Sequence, residues 1–231
     1  IAERLRKIKG VVVVTPMIEG QVMATARGIA QGAVVRGIRA KDLAARAIVS
    51  DNIQAGSLDD FKGKNAIVVG QRMASKMGVG VGDKITLISP KGSVTAFGTV
   101  PRMKAYAIVA TFQIGMYEYD SSFIFMPLEN AQVFFKFPGA ISNLEVFVDD
   151  PDTAIAIGRS ISKEMKGAAR IHDWQRVNAS FFNAIQVERN VMFLILTLII
   201  VVAAFNIISS LIMLVKDKGK DIAILRTMGA T

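Results

Sequence analysis

Residues 191–215 read VMFLILTLIIVVAAFNIISSLIMLV, 25 positions without one charge. As a helix rising about 1.5 Å per residue this run spans about 37 Å, enough to cross the hydrocarbon core of a bilayer with some tilt. Uncharged stretches longer than about 18 residues are rare in soluble cores, so the segment predicts a transmembrane helix rather than a buried one. Its flanks orient it. Lys216, Lys218, Lys220 and Arg226 follow the span, whereas Arg189 before it sits beside Glu188. The positive-inside rule then puts residues 216–231 in the cytoplasm and residues 1–190 outside, in the periplasm or beyond the cell. The composition agrees: 52% of the 231 residues are hydrophobic and the mean hydropathy is +0.40. The chain opens on Ile1 and stops at Thr231, just past an apparent helix end, so both ends read as cuts in a longer protein.

The charge has a location once the span is placed. Residues 216–231 carry four Lys or Arg against two Asp, a net +2, which leaves +7 of the total +9 for the outer domain. Outside a membrane, such a surface suits anionic headgroups or an acidic protein better than nucleic acid, and charge for solubility alone is the plain alternative. With no cysteine, disulfides, zinc–thiolate sites and thiol nucleophiles are excluded.

Within the outer domain, residues 1–172, short elements alternate without a regular βαβ period, which argues α+β rather than a doubly wound sheet. A helix over residues 1–9 ends at Gly10, and a buried strand begins at 11–14. Residues 21–38 read as extended chain broken at Gly28 and Gly32, a hairpin or a bent strand. A short helix follows at 41–47 and a polar loop at 50–63. Residues 66–69 form a strand running into a helix at 71–77, and the glycines of GVGVGD (78–83) turn the chain into a strand at 84–89. Strands are predicted again at 105–111, 122–126 and 144–148. Helices are predicted at 128–135 and from Pro151, behind Asp150 as N-cap, to Lys166.

Catalysis finds no footing. His172 is the only histidine, so triads and histidine metal sites lack a second member, and it reads as a structural residue at a strand-to-helix junction. Gly78, Gly80 and Gly82 do not make a phosphate loop, because Asp83 and Ile85 stand where the second glycine and the Ser/Thr belong. No metal ligands and no cofactor are predicted.

Four segments carry functional expectations. From Asp173 onward one long helix is predicted, with Trp174, Val177, Phe181 and Ile185 on an apolar face. Residues 173–190 would be a stalk joining the domain to the span, so that motion in one reaches the other. After the span, Gly219 is expected to break the chain and Asp221 to start a short cytoplasmic helix that Gly229 ends. Ile222, Leu225 and Met228 form its apolar stripe, with Arg226 turned away. Such a helix either lies on lipid or plugs a partner's groove, and the residues leave both open. Residues 89–104, SPKGSVTAFGTVPRMK, read as a connection longer than a hairpin needs. Phe97, Val100 and Pro101 beside Arg102 and Lys104 would make a docking arm with an apolar tip and a basic edge; the competing reading is a strand continuing through 94–100 with ordinary packing. Within the span, Ala203, Asn206 and Ser210 form a small and polar stripe, of the kind that packs helix on helix.

The run NVMFLILTLIIVVAAFNIISSLIMLVKDKGKDIAILRTMGAT (190–231) closely resembles the second transmembrane helix and coupling helix of the lipoprotein-releasing permeases, the LolC/LolE type. AFNIISSL and AILRTMGAT are its specific motifs. The similarity continues upstream through WQRVNASFFNAIQVERN (174–190) and the GVGVGDKI turn, and so covers nearly the whole chain. These are membrane subunits of an ABC transporter of the mechanotransmission class, akin to MacB and FtsX, with a MacB-like periplasmic core domain. The resemblance implies a multi-pass inner-membrane protein whose other spans lie outside this chain and which hydrolyses no ATP itself. It implies as partners a cytoplasmic ABC ATPase, a second permease subunit in a homo- or heterodimer, a periplasmic lipoprotein chaperone, the lipoprotein cargo and membrane lipids. On this resemblance residues 221–229 couple to the ATPase, a hook at residues 89–104 grips the chaperone in LolC-type subunits but not in LolE-type ones, and the span bounds an acyl-chain cavity. A MacB- or FtsX-like permease with other cargo and a single-span receptor or adhesin are the alternatives.

Overall fold

The computed structural model describes residues 2–95, 98–165 and 169–229. In chain order the elements are α1 (Ala2–Leu5), β1 (Val11–Ala26), β2 (Ile29–Ile38), α2 (Ala40–Ala44), α3 (Ala47–Ser50), β3 (Ile53–Gly56), a 3-10 turn (Leu58–Asp60), β4 (Ala66–Gly70) and α4 (Gln71–Met77). Then come β5 (Lys84–Thr95), β6 (Gly98–Phe112), α5 (Tyr117–Ser122), β7 (Phe123–Pro127), α6 (Leu128–Phe135), β8 (Asn143–Val148), a 3-10 turn (Pro151–Thr153), α7 (Ala154–Met165), α8 (Trp174–Val177) and α9 (Ala179–Thr227). Contacts divide the chain into two compact units, Ile1–Ile161 and Ser162–Thr231.

In the first unit the sheet is mixed, which fits an α+β reading: β2 runs parallel to β7 and β4 parallel to β6, while the other pairings are antiparallel. The order β2-β7-β4-β6-β5-β1 returns on itself, because β1 also pairs β2 from Ile18↔Gly37 to Ala26↔Ile29. Six strands therefore form a closed ring, with β8 added along the first half of β1 and β3 along the end of β6. Alternation along each strand sorts the apolar residues onto two faces. Ile67 and Val69 join Val35, Leu87, Tyr106 and Ile124 in the larger core, which Met73 and Met77 of α4 and Phe134 of α6 complete. Val68 and Phe125 point the other way, where Ile38, Leu43, Val49, Phe61 and Phe112 form a second core. The predicted strand–helix pair at 66–77 is present with its helix bounds as read, and Gly78 closes α4 with φ +64. Gly82 is also left-handed, at φ +93, but Gly80 is not, so two of the three glycines in that turn are needed for their backbone.

Residues 21–38 form a true hairpin, turning at Arg27–Gly28, with Gly32 inside β2. The stretch expected as a polar loop, 50–63, contains β3, and α5 was not expected at all. Side chains distant in sequence fasten these pieces. Arg36 pairs with Glu19 at 2.9 Å and reaches Glu145 at 3.9 Å, while Arg46 bonds the same Glu145 and lies 5.4 Å over the Phe147 ring.

In the second unit, α8 is a single turn that Asp173 caps by accepting the Arg176 N–H at 2.8 Å. Asn178 leaves helical geometry (φ −102, ψ 23), and α9 then runs unbroken for 49 residues, about 73 Å. This corrects the long helix expected from Trp174: the continuous part starts at Ala179. The break expected at Gly219 does not occur either. Gly219 and Asp221 lie inside α9, with Lys218 pairing Asp221 one turn on at 3.6 Å. A lone glycine lowers helix stability by about 1 kcal/mol, too little to stop a helix whose neighbours all bond on either side. From Ala179 onward the segments expected as stalk, span and cytoplasmic helix are thus one helix, which ends at Thr227 with Gly229 at φ +94, as a helix stop requires. His172 is exposed, outside any helix or strand ahead of α8, rather than at the end of a strand.

Candidate functional site

Two surfaces hold the residues singled out by sequence. The first is the β5–β6 ribbon. The described residues of this segment, 89–95 and 98–104, are not a loop. They are the distal half of an antiparallel pair whose register runs from Lys84↔Ala107 to Thr95↔Gly98, with an irregularity between Ser89 and Ser93. Neighbouring strands stop short of it: β1 pairs β5 only over Thr86–Ile88, and β4 and β3 pair β6 only from Ala107 onward. From Ser89 and Arg102 outward the ribbon pairs only with itself among the described strands.

The competing reading of one strand continuing through 94–100 does not hold, since residues 94–95 and 98–100 belong to two antiparallel strands, and ordinary packing does not follow either. Val100 is 56% exposed and Met103 67%, and Pro101 and Lys104 are exposed beside them. Phe97 lies outside the described residues. The basic edge splits in two. Arg102 is half-buried and donates to the Phe134 carbonyl of α6, so it anchors the ribbon's base. Lys104 remains at the surface with Nζ 5.1 Å from the Tyr106 ring centroid. Tyr106 is fully buried, edge-on to Phe134 at 5.9 Å, and burial pushes its hydroxyl up to about 12. Met103 is the functional candidate that sequence reading missed. Its signal was the apolar residue two positions from Pro101, discernible only once the segment is read as strand.

The second surface is α9, whose apolar residues are exposed along its length. It is the one helix among the described residues long and apolar enough to cross a membrane. Asn206 and Ser210 share one groove of its surface with Ile207, Leu211 and Leu214; Ala203, one turn earlier, is outside that groove. Thr197, by contrast, returns its hydroxyl to the Phe193 carbonyl at 2.8 Å. Toward the end, Ile222, Leu225 and Met228 are 53%, 54% and 79% exposed, and Arg226 also faces outward. No group of three or more His, Cys, Asp or Glu fit to hold a metal occurs among the described residues.

Residues 1–164 match the MacB-like periplasmic core domain. The chain belongs to that family. Within it, the similarity is to the lipoprotein-releasing system transmembrane proteins. LolC of Neisseria meningitidis serogroup B (strain MC58) is 36% identical over 96% of this chain and 54% of its own length, and LolE of Haemophilus influenzae is 31% identical over 79% and 44%. The chain thus spans about half the length of the curated relatives it matches. Among solved structures, the periplasmic region of MacB from Actinobacillus actinomycetemcomitans aligns over 79% of this chain and 81% of its own, at 14% identity and a TM-score of 0.47.

Proposed function

We propose that this MacB-like core domain and its helix are part of a permease subunit of an ATP-driven lipoprotein-releasing complex in a bacterial inner membrane, with residues 1–190 periplasmic and 216–231 cytoplasmic. The observation that carries the reading is the 36% identity to a LolC protein sustained over 96% of the chain, domain and apolar helix together. Nucleotide hydrolysis then belongs to a separate cytoplasmic ATPase. The last turns of α9, with Asp221, Ile222, Leu225, Arg226, Met228 and Gly229, would receive that subunit's movement. An unbroken hydrogen-bonded helix resists bending, so α9 would carry the push out of the cytoplasm without a hinge at Gly219. Ala203, Asn206 and Ser210 would pack against a neighbouring helix, since a polar side chain in lipid needs a partner, and another face of the same helix would bound an acyl-chain cavity. The β5–β6 ribbon, through Phe97, Val100, Pro101 and Lys104 with Arg102 at its base, would hold the periplasmic chaperone that accepts the released lipoprotein.

The match to the MacB-like core supports a second reading, a mechanotransmission permease of the same build moving other cargo. Purifying the full-length protein in mild detergent from its host separates the two. The lipoprotein reading expects an ATPase, a second permease copy or homologue, and bound acylated protein in the isolate. An ATPase with no acylated protein would favour other cargo, and an isolate without any ATPase would overturn both.

A further inference from the structure

Between α4, α5 and β2 the first unit carries an open cleft of about 640 Å³, on elements that belong to neither surface described above. Gly70 makes it possible. A Cβ there would stand 2.3 Å from the Asp120 carbonyl oxygen, so only glycine lets the β4–α4 junction rest against α5. The Asp120 carboxylate is buried and committed elsewhere, accepting the Ile114 and Gly115 N–H groups at 2.9 and 3.1 Å.

What lines the cleft is uneven in charge. Arg72 and Lys76 stand on its wall, and no Asp or Glu does. In this unit Arg27 pairs with Asp83, Arg36 with Glu19 and Arg46 with Glu145, while the exposed Arg39 and Arg159 make no ion pair among the described residues. Arg72 and Lys76 have no carboxylate partner among the described residues. The remaining wall is polar and partly held in place. Gln31 Nε2 donates to the Ser121 carbonyl at 2.9 Å, Gln71 Nε2 to Ser75 Oγ at 3.3 Å, and the Arg72 guanidinium lies 5.4 Å over the Tyr117 ring. A planar guanidinium offers two parallel N–H groups to two oxygens of one anion, and a nearby ammonium adds a point charge. Carboxamides and hydroxyls around them suit a carrier with hydroxyl groups.

We propose that this cleft binds a phosphate ester, with Arg72 and Lys76 taking the phosphoryl oxygens and Gln113 and Ser122 the polar carrier. The inference is independent of the permease reading, because it uses only side chains of the first unit. The same chemistry is offered by a soluble glycerol phosphate and by a phospholipid headgroup, and the test keeps them apart. The whole chain, held in phosphatidylcholine nanodiscs, is titrated by calorimetry with glycerol phosphate and separately with a short-chain phosphatidylglycerol. Saturable binding is expected for at least one, weakening as salt rises; the tighter of the two names the source. The double variant Arg72→Gln/Lys76→Gln should lose about tenfold or more in affinity. Lys62→Gln/Lys64→Gln, which removes two exposed charges elsewhere, should lose nothing. Should the double variant melt early, Lys76→Gln alone, which stacks on no ring, serves with an expected loss of about tenfold. Absence of saturable binding by either probe overturns the proposal. So does equal binding by the cleft variants, or an equal loss in the Lys62/Lys64 control.

Discussion

Gly70→Ala tests the packing on which the cleft rests. The backbone of Gly70 is ordinary extended chain (φ −60, ψ 136), so alanine meets no torsional strain there. What it meets is Asp120, whose carbonyl oxygen, carbonyl carbon and Cα would lie 2.3, 2.6 and 2.9 Å from the new Cβ, where 3.4–4 Å is ordinary contact. The shortfall is about 1 Å, and it is against backbone, which cannot rotate aside as a side chain would. Overpacking a core costs about 1–3 kcal/mol, and a backbone obstacle puts this site at the upper end, about 3 kcal/mol. In a domain of this size each kcal/mol moves the melting temperature by about 2–4 °C, so a fall of about 6–12 °C is expected. Gly80→Ala is the control. Its Cβ meets nothing within 4 Å, its φ is not positive, and its N–H bond to Asp83 is untouched, so a gain of about 0.4–1 kcal/mol is expected from reduced freedom of the unfolded chain. Near-UV circular dichroism on heating reads the packing around aromatic rings, and all three tyrosines, Tyr106, Tyr117 and Tyr119, lie in the first unit. A Gly70→Ala chain melting within about 1 °C of wild type, or a Gly80→Ala chain falling as far as Gly70→Ala, would refute the steric argument.

Three further outcomes are expected. Leu225→Asp, at an exposed position near the end of α9, should abolish co-purification with the ATPase while membrane insertion stays intact; unchanged recovery would leave the bilayer surface as the site of this stripe. Single cysteines at Lys62 and Thr227 should differ under an impermeant thiol reagent applied from the periplasmic side, only position 62 reacting; the reverse pattern would invert the topology. Tyr106 carries a pH dependence. Burial disfavours its ionised form and raises its pKa from 10.0 to about 12, so the stability it contributes is complete below pH 10 and declines as pH climbs toward 12. Its hydroxyl has no hydrogen-bond partner among the described residues, so Tyr106→Phe should flatten that alkaline limb and raise stability at neutral pH by about 1 kcal/mol. Denaturant titration at several pH values checks both, and a destabilised Tyr106→Phe would mean that the hydroxyl is satisfied.

The ribbon shows why one candidate segment was read only in part. Pro90, Gly92, Gly98 and Pro101 interrupt the alternation through residues 89–104, and those residue types normally mark loops. In a ribbon that pairs on one side only, a proline facing the free side removes no ladder bond, so the strand survives them. Arg102 and Lys104 looked alike in sequence. The approach of the Phe134 carbonyl, 32 residues away, makes one a base anchor and leaves the other at the surface.

By itself the sequence determined whatever depends on near neighbours. An uncharged run of 25 residues is a membrane-length helix because solvation acts on composition. The strand–helix pair at 66–77 and the helix Leu128–Phe135 follow from apolar periodicity and helix-stop residues, and the α+β class from their irregular alternation. Tertiary structure alone decided that β1 would pair both β2 and β5 and so close the ring, since register between strands rests on contacts across the chain. It decided that Glu145 would hold both Arg36 and Arg46, and that α9 would pass through Gly219, because neither charge pairing nor helix continuation is set by one residue's preference. The cleft with Arg72 and Lys76 was illegible for the same reason. Its walls come from separate segments between Gln31 and Ser122, none unusual alone, which meet only because Gly70 lets two backbones approach more closely than any side chain would allow.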